Sequence, residues 1–121
     1  TINGFGCVYQ LPSYSPIKAG SEEMGKWDPN WKNSRYSSND NYWAGAKKAC
    51  DDIGMSLPDK SKLQSIYKAG KKDPSLGLPT SGKFWSSSEG DADNAYIVIS
   101  YSGNAYYDYK DLSNKVLCVG D

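Results

Sequence analysis

Trp43-Ala44-Gly45-Ala46-Lys47-Lys48-Ala49-Cys50-Asp51-Asp52-Ile53-Gly54 is the stretch whose reading decides the fold. Trp43, Ala46, Cys50 and Ile53 recur at helical spacing along one stripe, joined by Ala49, while Lys47, Lys48, Asp51 and Asp52 lie off it. Asp40 or Asn41 can cap the helix, and Gly54 can end it in a left-handed conformation. The buried stripe therefore carries a cysteine. A second, Cys118, stands in the apolar run Leu117-Cys118-Val119 near the other end of the chain. We expect a Cys50–Cys118 bridge between this helix and the last strand, leaving Cys7 over. A chain tied in this way is a small extracellular domain. Three reduced, buried cysteines in a cytosolic protein are the alternative reading.

Downstream of the helix, Leu57-Pro58 breaks the chain and Asp59 caps a second helix. Its apolar stripe is Leu63, Ile66 and Tyr67, and Gly70 is expected to stop it. Lys71, Lys72 and Asp73-Pro74 then make a solvated connection. Strands are expected over 84–87, 95–101, 105–109 and 115–119. Trp85, between Phe84 and a serine run, belongs in the core, where its indole N–H needs a buried acceptor. Upstream, residues 1–41 are rich in Gly, Ser, Asn and Pro. Phe5, Cys7 and Tyr9 alternate as a short first strand should, and Trp27, Trp31 and Tyr36 are expected to pin irregular loops onto the core. The whole chain, 1–121, reads as a single α+β domain, irregular over 1–41 and regular over 42–121.

Ser102-Gly103-Asn104 reads as a hairpin turn, and its length sets the faces of the hairpin. A three-residue loop opposes Tyr101 to Ala105, Ile99 to Tyr107 and Ile97 to Tyr109, so that the large apolar side chains share one packed face. The other face, expected to be exposed, then holds Tyr96, Val98, Ser100, Tyr106, Asp108 and Lys110. A one-residue slip would mix Ile97 and Ile99 with Asp108 and Lys110, which the pleat penalises.

Composition excludes several classes of function. Fourteen basic and fourteen acidic residues give zero net charge, so no basic stripe is available to release phosphate counterions, and a nucleic-acid partner is not expected. No apolar run reaches the length of a membrane span, so this segment is not expected to insert into a membrane. No charged-then-apolar leader occurs in these residues, which says nothing about compartment. Histidine is absent, removing the commonest general base and metal ligand, and no nucleophile elbow, phosphate loop or paired-cysteine metal motif is present. We expect no enzyme and no cofactor.

Ten Tyr and four Trp against two Phe suit partly exposed recognition surfaces, because both residues join an apolar body to a polar tip. Glu89-Gly90-Asp91-Ala92-Asp93-Asn94 is an acidic cluster whose alternating carboxylates could offer oxygen ligands to calcium, but it departs from the full calcium-loop pattern. It is read as a solvated loop, with no metal site. Asp91, Asp93, Asn94, Tyr96, Tyr106, Asp108 and Asp111 together form the expected ligand-binding surface, mixing aromatic planes with polar tips as paratopes do.

These residues resemble a bacterial branch of the C-type-lectin-like fold, in particular the C-terminal domain of the Legionella collagen-like adhesin and its paralogues. The resemblance rests on Trp43, Ala46 and Cys50, then Leu57-Pro58 and Leu63, then Phe84-Trp85-Ser86-Ser87-Ser88, Ala95-Tyr96-Ile97-Val98 with Ser102-Gly103, and Leu117-Cys118-Val119. It covers residues 42 to 121. Met55-Ser56 and Leu117 stand where the family often carries arginines, so no anion-binding role is carried over from those. The Glu-Pro-Asn and Trp-Asn-Asp motifs of calcium-dependent sugar binding in animal lectins are also missing. The resemblance implies two helices flanking twisted antiparallel strands, termini close together, and an extracellular or bacterial cell-surface location. It also implies a recognition or adhesion module for a host or bacterial surface glycan or protein. The alternative it implies is the globular head of a type IV pilin-like subunit, self-assembled into a surface fibre. The Tyr, Ser, Asp and Asn of the hairpin region are accessible from adenine-rich codons. The variable proteins of diversity-generating retroelements, which share this fold, use the same set.

Overall fold

The computed structural model describes residues 6–34 and 38–120. Phe5 and Tyr36 lie outside the described residues, so their expected places in a first strand and a pinned loop are not addressed. Along the chain come β1 (Cys7–Gln10), β2 (Ile17–Lys18), α1 (Glu22–Trp27), β3 (Asp40–Asn41), α2 (Tyr42–Asp52), α3 (Lys60–Lys72), a single 3-10 turn (Pro74–Leu76), β4 (Lys83–Glu89), β5 (Asn94–Ile99), β6 (Ala105–Tyr109) and β7 (Leu117–Gly120). The class is α+β. The N-terminal stretch is more regular than its composition suggests, since besides the first strand it holds a third helix, α1, and two further short strands, β2 and β3. The α1 helix anchors itself by burying Met24 in a small cluster with Ile17 and Ala44, onto which Trp27 and Trp31 pack.

The helices start where their caps dictate. The Asn41 side chain accepts from the Ala44 amide at 2.8 Å, and Asp59 accepts from the Lys62 amide at 2.7 Å. In α2, Trp43, Ala46 and Cys50 face inward as the spacing requires, but Ile53 is the C-cap residue and is 48 % exposed, so the buried stripe ends at Cys50. Gly54 follows at φ +74°, the left-handed conformation that closes the helix. Gly70 does not stop α3, which continues to Lys72. It is small because Leu78 folds back onto it, at 2.7 Å from where a Cβ would stand.

β4, β5 and β6 form an antiparallel sheet in that order, with β5 in the middle. One core lies between this sheet and α2 and contains Trp43, Cys50, Trp85, Ile97 and Cys118. The other lies against α3 and contains Leu63, Ile66, Tyr67, Phe84 and Val98. Strand residues alternate between the two cores, Phe84 and Val98 going to one and Trp85 and Ile97 to the other, as the period of two requires. The Trp85 indole donates to the Leu112 carbonyl at 3.2 Å, supplying the acceptor that its burial demands. β1 and β7 pair antiparallel beside these cores, with Cys7 opposite Gly120 and Tyr9 opposite Cys118. Cys118, fully buried on β7, is disulfide-bonded to Cys50 on α2, with Cα atoms 5.5 Å apart. Among the described residues no helix is long and apolar enough to cross a membrane.

The hairpin register differs from the expected one. Ile97 faces Tyr106, Tyr96 faces Tyr107 and Val98 faces Ala105. This is a slip of three residues, and an odd slip inverts every side chain. The chain turns through Ser100–Gly103, with the Gly103 amide donating to the Ile99 carbonyl at 2.7 Å and Gly103 at φ +73°. The expectation assumed one packed face and one wet face. β5 is instead a central strand covered on both sides, so Val98 is buried as fully as Ile97 and apolar residues are no longer confined to one face. Tyr107, expected in the core, is 57 % exposed, and Lys110, expected on the exposed face, is wholly buried.

Gly45 is a point where two segments meet. A Cβ there would stand 2.2 Å from the Ser15 carbonyl oxygen and 2.9 Å from the Pro16 Cα, both backbone atoms. Gly45→Ala would gain up to about 1 kcal/mol of helix propensity. The overpacking it forces costs about 1–3 kcal/mol, and backbone cannot rotate away. We expect a net loss of about 1–2 kcal/mol, read from urea unfolding. A variant more stable than the parent would show that residues 15–16 do not lie against α2.

Candidate functional site

The inverted register assembles a surface that the sequence alone did not group. On the α3-side face of the hairpin, Tyr96 and Tyr107 lie directly opposite and stack, ring centroids 4.5 Å apart and planes 29° apart. The Lys60 ammonium lies 4.0 Å above the Tyr96 ring. The Tyr107 ring rests on Gly90, where a Cβ would come within 2.2 Å of its Cε1. The rings are therefore held in order, from Lys60 through Tyr96 and Tyr107 to a backbone that only glycine allows so near.

The acidic loop adjoins this stack. The Asp91 carboxylate accepts from the amides of Asp93 and Asn94, each at 2.9 Å, and from the Asn94 side chain at 3.0 Å. The Asn94 side chain first, and then the Asp93 amide, hold the Asp91 carboxyl below the usual carboxylate range, so it is charged at neutral pH. Asp93 points elsewhere. Its carboxylate accepts from the Asn33 amide at 2.8 Å and from the Ser34 hydroxyl, fastening the 33–34 segment to the loop. Burial pushes the Asp93 carboxyl up, but the hydrogen bonds from Ser34 and the nearby amides outweigh it and the net shift is downward. Gly90 and Asp91 also wall a shallow hollow of about 620 Å³ that continues to Asn30, Trp31 and Lys32. The buried indole N–H of Trp31 has no hydrogen-bond partner among the described residues.

Of the seven residues expected to bind a ligand, Asp91, Asn94 and Tyr96 come together here. Asp93 is beside them, but its carboxylate is turned to Asn33 and Ser34. Tyr106 and Asp108 project from the opposite face, where the Asn114 side chain donates to Asp108 at 2.9 Å. Asp111 lies half-buried in the turn after β6. Tyr107, Gly90, Lys60 and Trp31 are not among the expected ligand-binding residues. The first was assigned to the core by the register argument, and the others carry no local motif. The signal in the sequence is the unbroken apolar run Ile97-Val98-Ile99, which marks a strand buried on both sides and so removes the assumption of one wet face on which the expected register rests.

Beneath the site lies a buried charge cluster. The Lys110 ammonium sits 3.0 Å from each of Asp28 Oδ2 and Glu89 Oε1, donates to the Ala92 carbonyl at 3.0 Å, and lies 4.5 Å from the Trp43 ring centroid. The Asn41 side chain donates to Asp28 at 2.8 Å, and the Trp43 indole donates to the Ser86 carbonyl at 2.7 Å. The Lys47 ammonium is 3.6 Å from the same Trp43 ring. Its pKa is lowered, first by burial and then by Lys110, while Asp28 and Glu89 oppose the shift. Lys110 thus ties the end of α1 to the base of the acidic loop, which fixes the loop that carries Gly90 and Asp91.

An α+β domain presenting a rigid aromatic and acidic surface over a disulfide-braced core is the class this geometry defines. The chain belongs to the family described as Domain of unknown function (DUF8780), which matches residues 31–120. No curated protein matches it. Among solved structures it is similar to the Yersinia pseudotuberculosis adhesin InvE, at 17% identity and a TM-score of 0.50, covering 96% of this chain and 34% of that one. The chain thus spans about a third of the length of that structure, and the likeness is one of fold.

Proposed function

We propose that the domain is an extracellular recognition module of the C-type-lectin-like kind, displayed at a bacterial surface and binding a glycan or protein on another surface. It works by binding and not by catalysis. One observation carries the reading: the Tyr107 ring, more than half exposed, is held in place by its stack on Tyr96 and its contact with Gly90, so its exposed part is offered to a partner with little entropy left to lose. Asp91 and Asn94 add polar tips at its edge. The buried disulfide suits an oxidising compartment, and the fold likeness to an adhesin is in keeping with this role. The resemblance to the Legionella adhesin domain supports the same reading.

The test uses glycan arrays and host-cell binding with three variants. Tyr107→Ala should cost no more than about 1.5 kcal/mol of stability, the worth of one stacked cross-strand aromatic pair, and leave the domain folded. It should weaken binding by about 1–3 kcal/mol if the ring is an anchor. Gly90→Ala should do the same by displacing the ring without removing it. Tyr106→Ala, on the opposite face, should leave binding intact. Binding lost with Tyr106→Ala and kept with the other two would move the site to the other face and overturn the proposal. A subunit-packing role for the same surface would show instead as concentration-dependent association that Tyr107→Ala abolishes.

A further inference from the structure

A second site lies away from the tyrosine surface, where the C-terminal half of α3, the segment after it and the β5–β6 turn enclose a cleft of about 290 Å³. Leu78, Pro79 and the Tyr101 ring make its apolar walls. Tyr67, from α3, and Ser100, the first residue of the turn after β5, also line it, and both residues are more than nine-tenths buried. Neither hydroxyl has a hydrogen-bond partner among the described residues. Buried hydroxyls are normally paired with protein or ordered water, and two without a protein partner, on residues of separate elements that line one cleft, leave donors that a ligand can engage. Lys71 also lines the cleft, its ammonium 5.5 Å from the Tyr101 ring centroid, and no acidic side chain does.

We propose that this cleft binds a small carboxylate with an apolar body, the body against Leu78, Pro79 and Tyr101 and the carboxylate toward Tyr67, Ser100 and Lys71. A carboxylate has about four lone-pair positions and no hydrogen to donate, so one group can accept from two hydroxyls and an ammonium together. Burial raises the Tyr67 phenol well above its ordinary pKa, so it remains a donor at any physiological pH. The volume fits one ring or a short chain and is at the lower limit of small-molecule pockets. Both hydroxyl oxygens are closed to bulk water, so a ligand reaches them by parting the walls. The Tyr101 ring, 73 % exposed, is the wall freest to turn.

Phenylacetate is a suitable probe, with phenylacetamide as its neutral counterpart, titrated into the isotope-labelled domain and followed by amide chemical shifts. Saturable shifts confined to residues around 67–71, 78–80 and 100–101 are expected with phenylacetate. Phenylacetamide should bind about tenfold or more weakly, the equivalent of one charge-assisted contact. Lys71→Gln, an exposed change that leaves folding intact, should remove the preference for the acid. Ser100→Ala should weaken both probes, and its melting curve shows separately whether the fold is kept. No saturable shift up to about 10 mM, a range that still detects millimolar binding, would overturn the proposal. So would equal binding of the two probes, or shifts that map to the Tyr96–Tyr107 surface.

Discussion

Lys110→Met is expected to lower the unfolding free energy by about 3–5 kcal/mol, the range seen when one partner of a buried ion pair is removed. The ammonium is wholly buried, and it is what neutralises Asp28, itself 2 % exposed. Without it the Asp28 carboxylate keeps the Asn41 amide as its side-chain hydrogen-bond donor and Lys47 as a more distant cation, and the Glu89 and Ala92 oxygens lose the Lys110 ammonium. Methionine replaces most of the apolar stem, so the loss measures charge and hydrogen bonding more than volume. Adding Asp28→Asn should recover much of the stability, because the stranded charge is then gone and the two sites are in direct contact. Urea unfolding of the single and double variants decides the matter. A single variant within about 1 kcal/mol of the parent would mean that the cluster is open to water and that Lys110 is not the anchor of the acidic loop.

Reduction of the Cys50–Cys118 bridge should be comparably costly. The bridge spans 68 residues of sequence, and chain-entropy arguments assign a loop of that size about 4 kcal/mol, carried mostly by the unfolded state. A domain of this size holds about 5–15 kcal/mol in all, so the reduced form sits near the edge of folding. The Cys50→Ala, Cys118→Ala double variant tests this by urea midpoint against the parent, with non-reducing peptide mapping to confirm the pair. Coincident midpoints would remove the bridge from the account of stability. A Cys7–Cys118 peptide would show the first and last strands clamped directly, with α2 left unattached.

α2 and α3 were legible because their signals are local, and the disulfide because each cysteine stands in its own apolar stretch, whereas α1, six residues in a segment read as irregular, was not. The side chains of Asn41 and Asp59 cap α2 and α3, Leu63, Ile66 and Tyr67 repeat at helical period, and Cys50 sits on a buried stripe. The hairpin was not legible by the same logic. Period-two arguments decide a register only when one face is wet, and Ile97 and Val98 are both buried, on opposite faces. The candidate surface went astray with it, since Tyr107 is recognisable only once it is known to face Tyr96. Lys110 and Asp28 are 82 positions apart in sequence and each reads as an ordinary surface charge. Only the tertiary fold makes them partners. Lys60 and Gly90 acquire their roles in the same way, from rings that reach them across the sheet.

The pairing of β1 with β7 also decides how the domain carries mechanical load. Cys7 lies opposite Gly120, so tension drawn through both strands from that end peels the ribbon one rung at a time instead of shearing all its rungs together. Peeling on the β7 side has little distance to run. After Gly120 and Val119 it meets Cys118, where the strand is covalently joined to α2. From there the pull enters a helix that is packed against both α1 and the central sheet. The yielding lead is therefore short, since Val119 is also held by two backbone hydrogen bonds to Ser56 at 2.8 Å, and the sulfur bridge is the stop behind it. A module anchored by such an end gives a few residues of slack and then holds its tyrosine surface in shape under strain.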